Sequence, residues 1–291
     1  VPDFVQPIDK RFWAHSAEDI DFAALRGRRV GVIGAGASAM DNAATALEAG
    51  AAGLDLFIRR PDIPRVNKLT GIGSPGVTHG FHALPDEWKW RLLEYTMAAQ
   101  TPPPRDSTLR LSRHPNARFH LTSPVLGIEV RRNELCLTTP RGGYRLDYLI
   151  LATGFRIDLA LRPELSVFAP HIRIWRDRFD PPDGMENEEP ASSPDLGPAF
   201  AFRERTAGAC PHVTRIHCFN FPATLSHGKL SGDIPAVSEG AERLARGIAS
   251  LLFVEDRAEH FANLVAFDTP ELLGDEWTAA DPPPAHHRGI A

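Results

Sequence analysis

Gly34, Gly36 and Ala39 stand at the spacing G-x-G-x-x-A inside the stretch VGVIGAGASA of residues 30–39. Residues of these types at this spacing can grip a pyrophosphate. The first glycine permits a tight turn, the second lets the backbone approach the phosphates, and the small third residue lets a helix pack closely on a strand. A helix opening at Ala37, Ser38 and Ala39 would offer free N–H groups and a positive dipole end to the anion. Such a spacing carries weight only between a strand and a helix. Both are present: Val30–Ile33 is an apolar run suited to a buried parallel strand, and an alanine-rich helical pattern runs from Ser38 to Ala49, where Gly50 stops it. Leu54–Ile58 reads as the second strand of the unit.

The end of that second strand discriminates between cofactors. An acidic residue there would hold the ribose 2′-hydroxyl of NAD. This chain has Arg59-Arg60 instead, beginning 25 positions after Gly34. Two guanidinium groups suit a 2′-phosphate and gain nothing from a plain hydroxyl, so the expected dinucleotide is NADP(H).

Other reactive side chains lack a working pattern. Cys210, His212, His217 and Cys218 include metal-type ligands, but His217 and Cys218 are neighbours in an expected strand and would point to opposite faces. No metal site is expected. Ser226-His227 has no acid partner at a readable spacing, and GASAM misses the nucleophile-elbow pattern by its last glycine. Trp88 and Trp90 suit packing better than cofactor stacking. No side chain stands out as a catalytic acid or base. The three cysteines, Cys136, Cys210 and Cys218, form no C-x-x-C pair and fit a reducing, cytoplasmic setting.

The elements that must position the turn follow from the same patterns. Residues 1–27 show little regular pattern and read as a linker, and residues 61–83 read as a loop. LPDEWKWRLLEYTMAAQ is expected to be helical, with Trp88, Leu92 and Tyr95 on one face and TPPP ending it. Four strands are expected between Arg118 and Gly154: RFHLT, VLGIEV, ELCLT and YRLDYLILATG, with PRGGY as the turn before the last. Residues 180–198 are Pro-rich and acidic, as in a surface excursion, and HVTRIHCFNF reads as a further strand. IPAVSEGAERLARGIASLLFVE is a long amphipathic helix, and the tail from Asp281 is expected to fray. The composition is that of a globular protein, 43% hydrophobic and 24% charged over 291 residues. A net charge of −5 gives no reason to expect nucleic acid or an anionic membrane as partner. No apolar run approaches a membrane span, and the start VPDFVQPIDK lacks the form of a signal peptide. A chain that opens on Val is expected to be a fragment of a longer protein.

GVIGAGASAMDNA followed by LFIRR, and later YLILATGF, resembles the flavin-containing monooxygenase group and its Baeyer–Villiger relatives. The resemblance implies an NADPH domain inserted into an FAD domain. Ala152-Thr153-Gly154-Phe155 resembles the hinge at which such chains cross between the two, with Asp147 ahead of it. KLSGDIPAVSEG resembles the Gly-Asp that meets the flavin side, which implies that Asp233 touches FAD; Asp233 equally suits an ordinary helix N-cap. RFWAHSAEDI matches the group's His fingerprint only at His15 and Ser16, with Asp9, Arg11 and Asp19 where Phe, Gly and an aromatic residue would stand. Only 14 residues precede His15, so the turn at Gly34 corresponds to the second glycine motif of the family, and the first, in an N-terminal FAD-binding segment, is missing here.

The resemblance implies an α/β fold: an NADP-binding Rossmann domain plus the C-terminal part of an FAD-binding Rossmann-like domain. The expected boundaries are 1–27 for the linker, 28–115 for the NAD(P)-binding domain and 116–291 for the FAD-domain part, with 160–205 inserted. Gly34, Gly36, Ala37, Ser38, Ala39, Arg59, Arg60, Thr153, Gly154 and Asp233 are the expected cofactor-binding residues, and NADP(H) and FAD the cofactors. The implied activity is NADPH-dependent flavin monooxygenation of a small-molecule substrate. A flavin dehydrogenase with another electron acceptor and a non-catalytic dinucleotide-binding module are the alternatives.

Overall fold

The apolar run at residues 30–33 forms the middle of a parallel sheet because it is flanked by equally apolar strands on both sides. The computed structural model describes residues 1–278 and 280. In chain order the first elements are β1 (Trp13–His15), β2 (Arg29–Ile33), α1 (Ala37–Glu48) and β3 (Gly53–Phe57). Next come α2 (Pro75–Gly80), α3 (Asp86–Ala99), α4 (Arg105–Ser112) and β4 (Ala117–His120). Strands β5 (Gly127–Arg131), β6 (Glu134–Thr139), β7 (Gly142–Leu146) and β8 (Tyr148–Leu151) follow. The C-terminal half carries α5 (Glu188–Ala191), α6 (Thr224–His227), α7 (Ile234–Glu255) and α8 (Arg257–Ala266), joined by 3-10 turns.

Five strands in the order β1-β8-β2-β3-β4 make an all-parallel sheet. One face is covered by α1 and α4, where Met40, Ala43, Ala44 and Leu111 bury completely against Val30, Val32, Leu54 and Leu56. The small alanines of α1 allow that close approach. On the other face the antiparallel sheet β5-β6-β7 sets Leu135, Leu137 and Leu146 against Phe57, Leu149 and Leu151. A parallel sheet buried on both faces is the α/β architecture the motifs imply.

Several local expectations are corrected. Residues 13–15 lie within the span expected as a linker, yet they form an edge strand of the parallel sheet, and Val5 and Phe12 are buried. The sheet also extends past residue 115, since β4 and β8 belong to it. YRLDYLILATG is two strands: β7 ends at Leu146 and β8 starts at Tyr148 in the other sheet, with Asp147 between them. On α3 the buried face is Lys89, Trp90 and Leu93, while Trp88 and Tyr95 are exposed. Residues 193–197, in the expected surface excursion, are buried, because Asp195 receives Arg173 and Arg178. Pro211–Arg215 is a 3-10 helix where a strand was expected. The tail from Asp281 lies outside the described residues.

Candidate functional site

The C-terminal ends of β2 and β8 build the site together. Gly34 leaves β2 with φ +138°, in the region that glycine alone enters freely, and a side-chain carbon there would stand 2.3 Å from the carbonyl oxygen of Ala152. The turn and the ATGF segment are therefore locked against each other. Gly36 precedes α1, is exposed, and would set a side-chain carbon into open space. No side chain caps α1, and Ala37 and Ser38 are exposed, while Ala39 is fully buried against the sheet. This leaves an uncapped helix N-terminus under an open glycine backbone, the geometry that accepts a phosphate.

Arg59 and Arg60 follow β3 on the same edge of the sheet. Arg59 is exposed and Arg60 half-buried. The Arg60 carbonyl accepts the Thr122 N–H at 2.8 Å, which pins the backbone there. Asp62, the acid nearest in sequence, is taken by Arg65. Neither Arg59 nor Arg60 has an ion-pair partner among the described residues, so both guanidinium groups are available to a ligand.

His15 ends β1 beside the hinge. Its Nδ1 accepts the Ala17 N–H at 3.2 Å, so the ring proton resides on Nε2, which donates to the Gly154 carbonyl at 3.3 Å. The ring also packs edge-on against Phe155, with centroids 5.4 Å apart. Thr153 and Gly154 are exposed, and Gly154 has φ +82°. An open cleft of about 730 Å³ lies below the hinge, with Phe155, Ile157, Leu159 and Ile174 among its apolar lining and Arg156 and Arg205 at its edge. Asp233 lies well away along the chain, at the start of α7. Its side chain accepts none of the first-turn N–H groups, which removes the plain N-cap reading.

The remaining groups are structural. His217 Nδ1 meets the Ala199 carbonyl at 2.7 Å, and the buried Cys218 thiol bonds Asn220. Among the described residues no His, Cys, Asp or Glu group is arranged to hold a metal ion. Ser226 is buried, receiving Trp175 Nε1–H and the Leu196 N–H. Sequence reasoning missed one polar constellation, the buried Lys89, Asp195 and His227. No local spacing links these three, and their only signal is a charged residue on an otherwise apolar helix face at Lys89.

The parallel sheet and the glycine turn between β2 and α1 define an α/β protein of the Rossmann type. No protein-family profile matches the sequence. The chain is 36% identical over 278 residues to an FAD-dependent urate hydroxylase of Xanthomonas campestris pv. campestris, an alignment covering 95% of this chain and 59% of that protein. The chain thus spans less than two thirds of the relative's length. Among solved structures it is similar to the reduced form of ornithine hydroxylase from Pseudomonas aeruginosa, with TM-score 0.59, 15% identity, and coverage of 87% of this chain and 60% of that one. It is also similar to the FAD-bound cadaverine monooxygenase of desferrioxamine biosynthesis from Erwinia amylovora, with TM-score 0.58, 19% identity, and coverage of 86% and 58%. At these identities the two structures establish the shared fold.

Proposed function

We propose that this chain is the NADP-binding unit and the C-terminal part of the FAD-binding unit of an NADPH-dependent flavin monooxygenase that hydroxylates a small organic substrate. The observation that carries the reading is the uncapped N-terminus of α1 beneath Gly34 and Gly36, with Arg59 and Arg60 at the neighbouring strand end and without an ion-pair partner among the described residues. The backbone of Gly36, Ala37 and Ser38 would hold the pyrophosphate, and the arginines the 2′-phosphate. Bound FAD would supply the hydride acceptance and the oxygen chemistry. Asp233 and the start of α7 would approach the flavin side, where a helix N-terminus favours the negative charge of a reduced flavin.

His15 has a positioning role in this reading. Its hold on Gly154 keeps the two chain crossings together where the cofactors would meet. His15→Ala is expected to slow NADPH oxidation without altering the fold. The relative's substrate, urate, supports a small and polar substrate here. Cytoplasmic location is proposed on the three free thiols. No described helix is long and apolar enough to cross a membrane.

The test is stoichiometry. With FAD and the hydroxylatable substrate supplied to the protein as its cell makes it, NADPH consumed, oxygen consumed and hydroxylated product should match one to one. NADPH oxidation that continues at full rate without oxygen would replace the monooxygenase by a dehydrogenase. Gly34→Ala should abolish NADPH binding, because the added carbon collides with Ala152.

A further inference from the structure

Every polar side chain lining the cleft below the hinge has a partner among the described residues, except one. The cleft holds about 730 Å³, within the range of roughly 300–1,000 Å³ in which small-molecule sites fall. Arg156 donates to Asp158 at 3.3 Å, and Asp158 also accepts the Ala160 N–H at 3.0 Å. Arg176 is paired with Glu188. Arg205 is paired with Asp177 at 2.9 Å and donates to the Pro170 carbonyl at 3.3 Å. The Ser166 hydroxyl donates to the Pro163 carbonyl and the Ser192 hydroxyl to the Glu188 carbonyl, both at 2.9 Å.

The exception is Glu189 on α5. Its backbone N–H is taken by the Asn187 side chain at 3.2 Å, while its carboxylate has neither a hydrogen bond nor an ion pair among the described residues. The residue is half-buried, and burial alone pushes its carboxyl above the usual range. Pro190 beside it is buried, which anchors this part of the wall. A carboxylate drawn out of water without a donor is destabilised, and an ammonium placed beside it removes that cost through a charge-assisted hydrogen bond.

The rest of the lining narrows what can carry that ammonium. Phe155, Ile157, Leu159 and Ile174 present apolar surface. The three guanidinium groups are committed to Asp158, Glu188 and Asp177, so a carboxylate on the ligand would have to break an ion pair to find a partner. A second ammonium would meet no free acid in the lining. An anion would add negative charge beside Glu189.

We infer that the cleft is a binding site for an apolar monoamine, its ammonium on Glu189 and its body against Phe155, Ile157, Leu159 and Ile174. Such a ligand is either the molecule that the proposed enzyme hydroxylates or one that it holds without turnover. The recognition chemistry is the same for both.

Hexylamine is the probe, titrated by calorimetry into the 291-residue chain without flavin or nucleotide, at about pH 8, where an alkylammonium keeps its proton. Hexan-1-ol lacks the charge, 6-aminohexanoate adds a carboxylate and cadaverine adds a second ammonium. One hexylamine should bind per chain, and each control should bind weaker by about tenfold or more. In ¹³C-methyl spectra the δ1 methyls of Ile157 and Ile174 should shift with hexylamine. Glu189→Gln should erase the advantage of hexylamine over hexan-1-ol while NADPH binding is kept. The comparison of the four probes needs no variant, so misfolding of Glu189→Gln would not rescue the site. Absence of hexylamine binding, binding that leaves both isoleucine methyls unmoved, or hexan-1-ol binding as tightly as hexylamine would overturn it. Those failures leave the hydroxylase reading untouched, since neither cofactor is present in the titration. In the protein as its cell makes it, supplied with FAD, NADPH and oxygen, hydroxylated hexylamine would identify the occupant as substrate, and bound but unaltered hexylamine would identify it as a ligand without turnover.

Discussion

In the proposed reading Arg59 and Arg60, which follow β3 directly, would select the nicotinamide dinucleotide. Each charge-assisted hydrogen bond to a 2′-phosphate contributes roughly 1.5–3 kcal/mol, so two such bonds give NADPH more than about a tenfold preference over NADH. Fluorescence titration of both nucleotides against the chain and against Arg59→Ala checks this; the preference should shrink by about tenfold in the variant, and equal affinities in the parent chain would reject the assignment. Cys218 behaves in the opposite sense. Burial pushes its thiol up to about 12, which keeps it protonated and inert at neutral pH. Iodoacetamide at mildly alkaline pH should label the half-buried Cys136 and Cys210 and spare Cys218 until the protein is unfolded. Peptide mass mapping reads the difference. Both residues are visible in the sequence, but only Arg59 announces its role there, because a strand end fixes its position while burial of Cys218 depends on distant packing.

At the scale of elements, Asp147 joins three strands. It receives the Arg29 backbone N–H at 2.8 Å and the Arg29 guanidinium through both carboxylate oxygens, while Arg29 also reaches Glu134 on β6. The guanidinium of Arg29 holds the Asp147 carboxyl below the usual carboxylate range. A carboxyl with a lowered folded value stabilises the fold above the unfolded value, near 3.9, and loses that contribution as pH falls through the lowered one. Asp147→Asn should therefore cost roughly 1.5–3 kcal/mol at pH 7. It should also flatten the loss of stability on acidification below about pH 4. Urea unfolding at both pH values measures each effect, and an unchanged acid limb would show that other carboxyls dominate. The unit β2-α1-β3 was legible because local apolar periods and a glycine stop mark all of it. The edge strand β1 was not, since three residues carry no period and pairing to β8 defines it. The break at Asp147 was hidden because residues 144–151 keep an unbroken strand-like composition. Burial of residues 193–197 depends on ion pairs between Asp195 and arginines 17 and 22 positions away, beyond any local pattern.

For the whole molecule the question is how much of the proposed two-cofactor enzyme these residues would hold. Among the described residues the parallel sheet presents a glycine turn, which in the proposed reading would grip one dinucleotide. The C-terminal helices differ in kind: Leu252, Phe253 and Val254 near the end of α7 and Phe261, Leu264 and Val265 on α8 are all exposed. The relative that matches this chain is FAD-dependent and longer, with this chain covering 59% of it. In the proposed reading the adenosine diphosphate half of FAD needs a second uncapped helix beneath a glycine turn, and Asp233 with the start of α7 would offer only the flavin side of such a site. The chain by itself should therefore purify colourless while still binding NADPH, and added FAD should bind weakly. A protein that also carries the second glycine motif should be yellow, and there Asp233→Ala should weaken flavin retention on a desalting column. The deciding measurement is the visible spectrum of the 291-residue chain: stoichiometric absorbance near about 450 nm, the region of oxidised flavin cofactors, would show that these residues complete an FAD site on their own and would overturn the division of the two cofactors between two units.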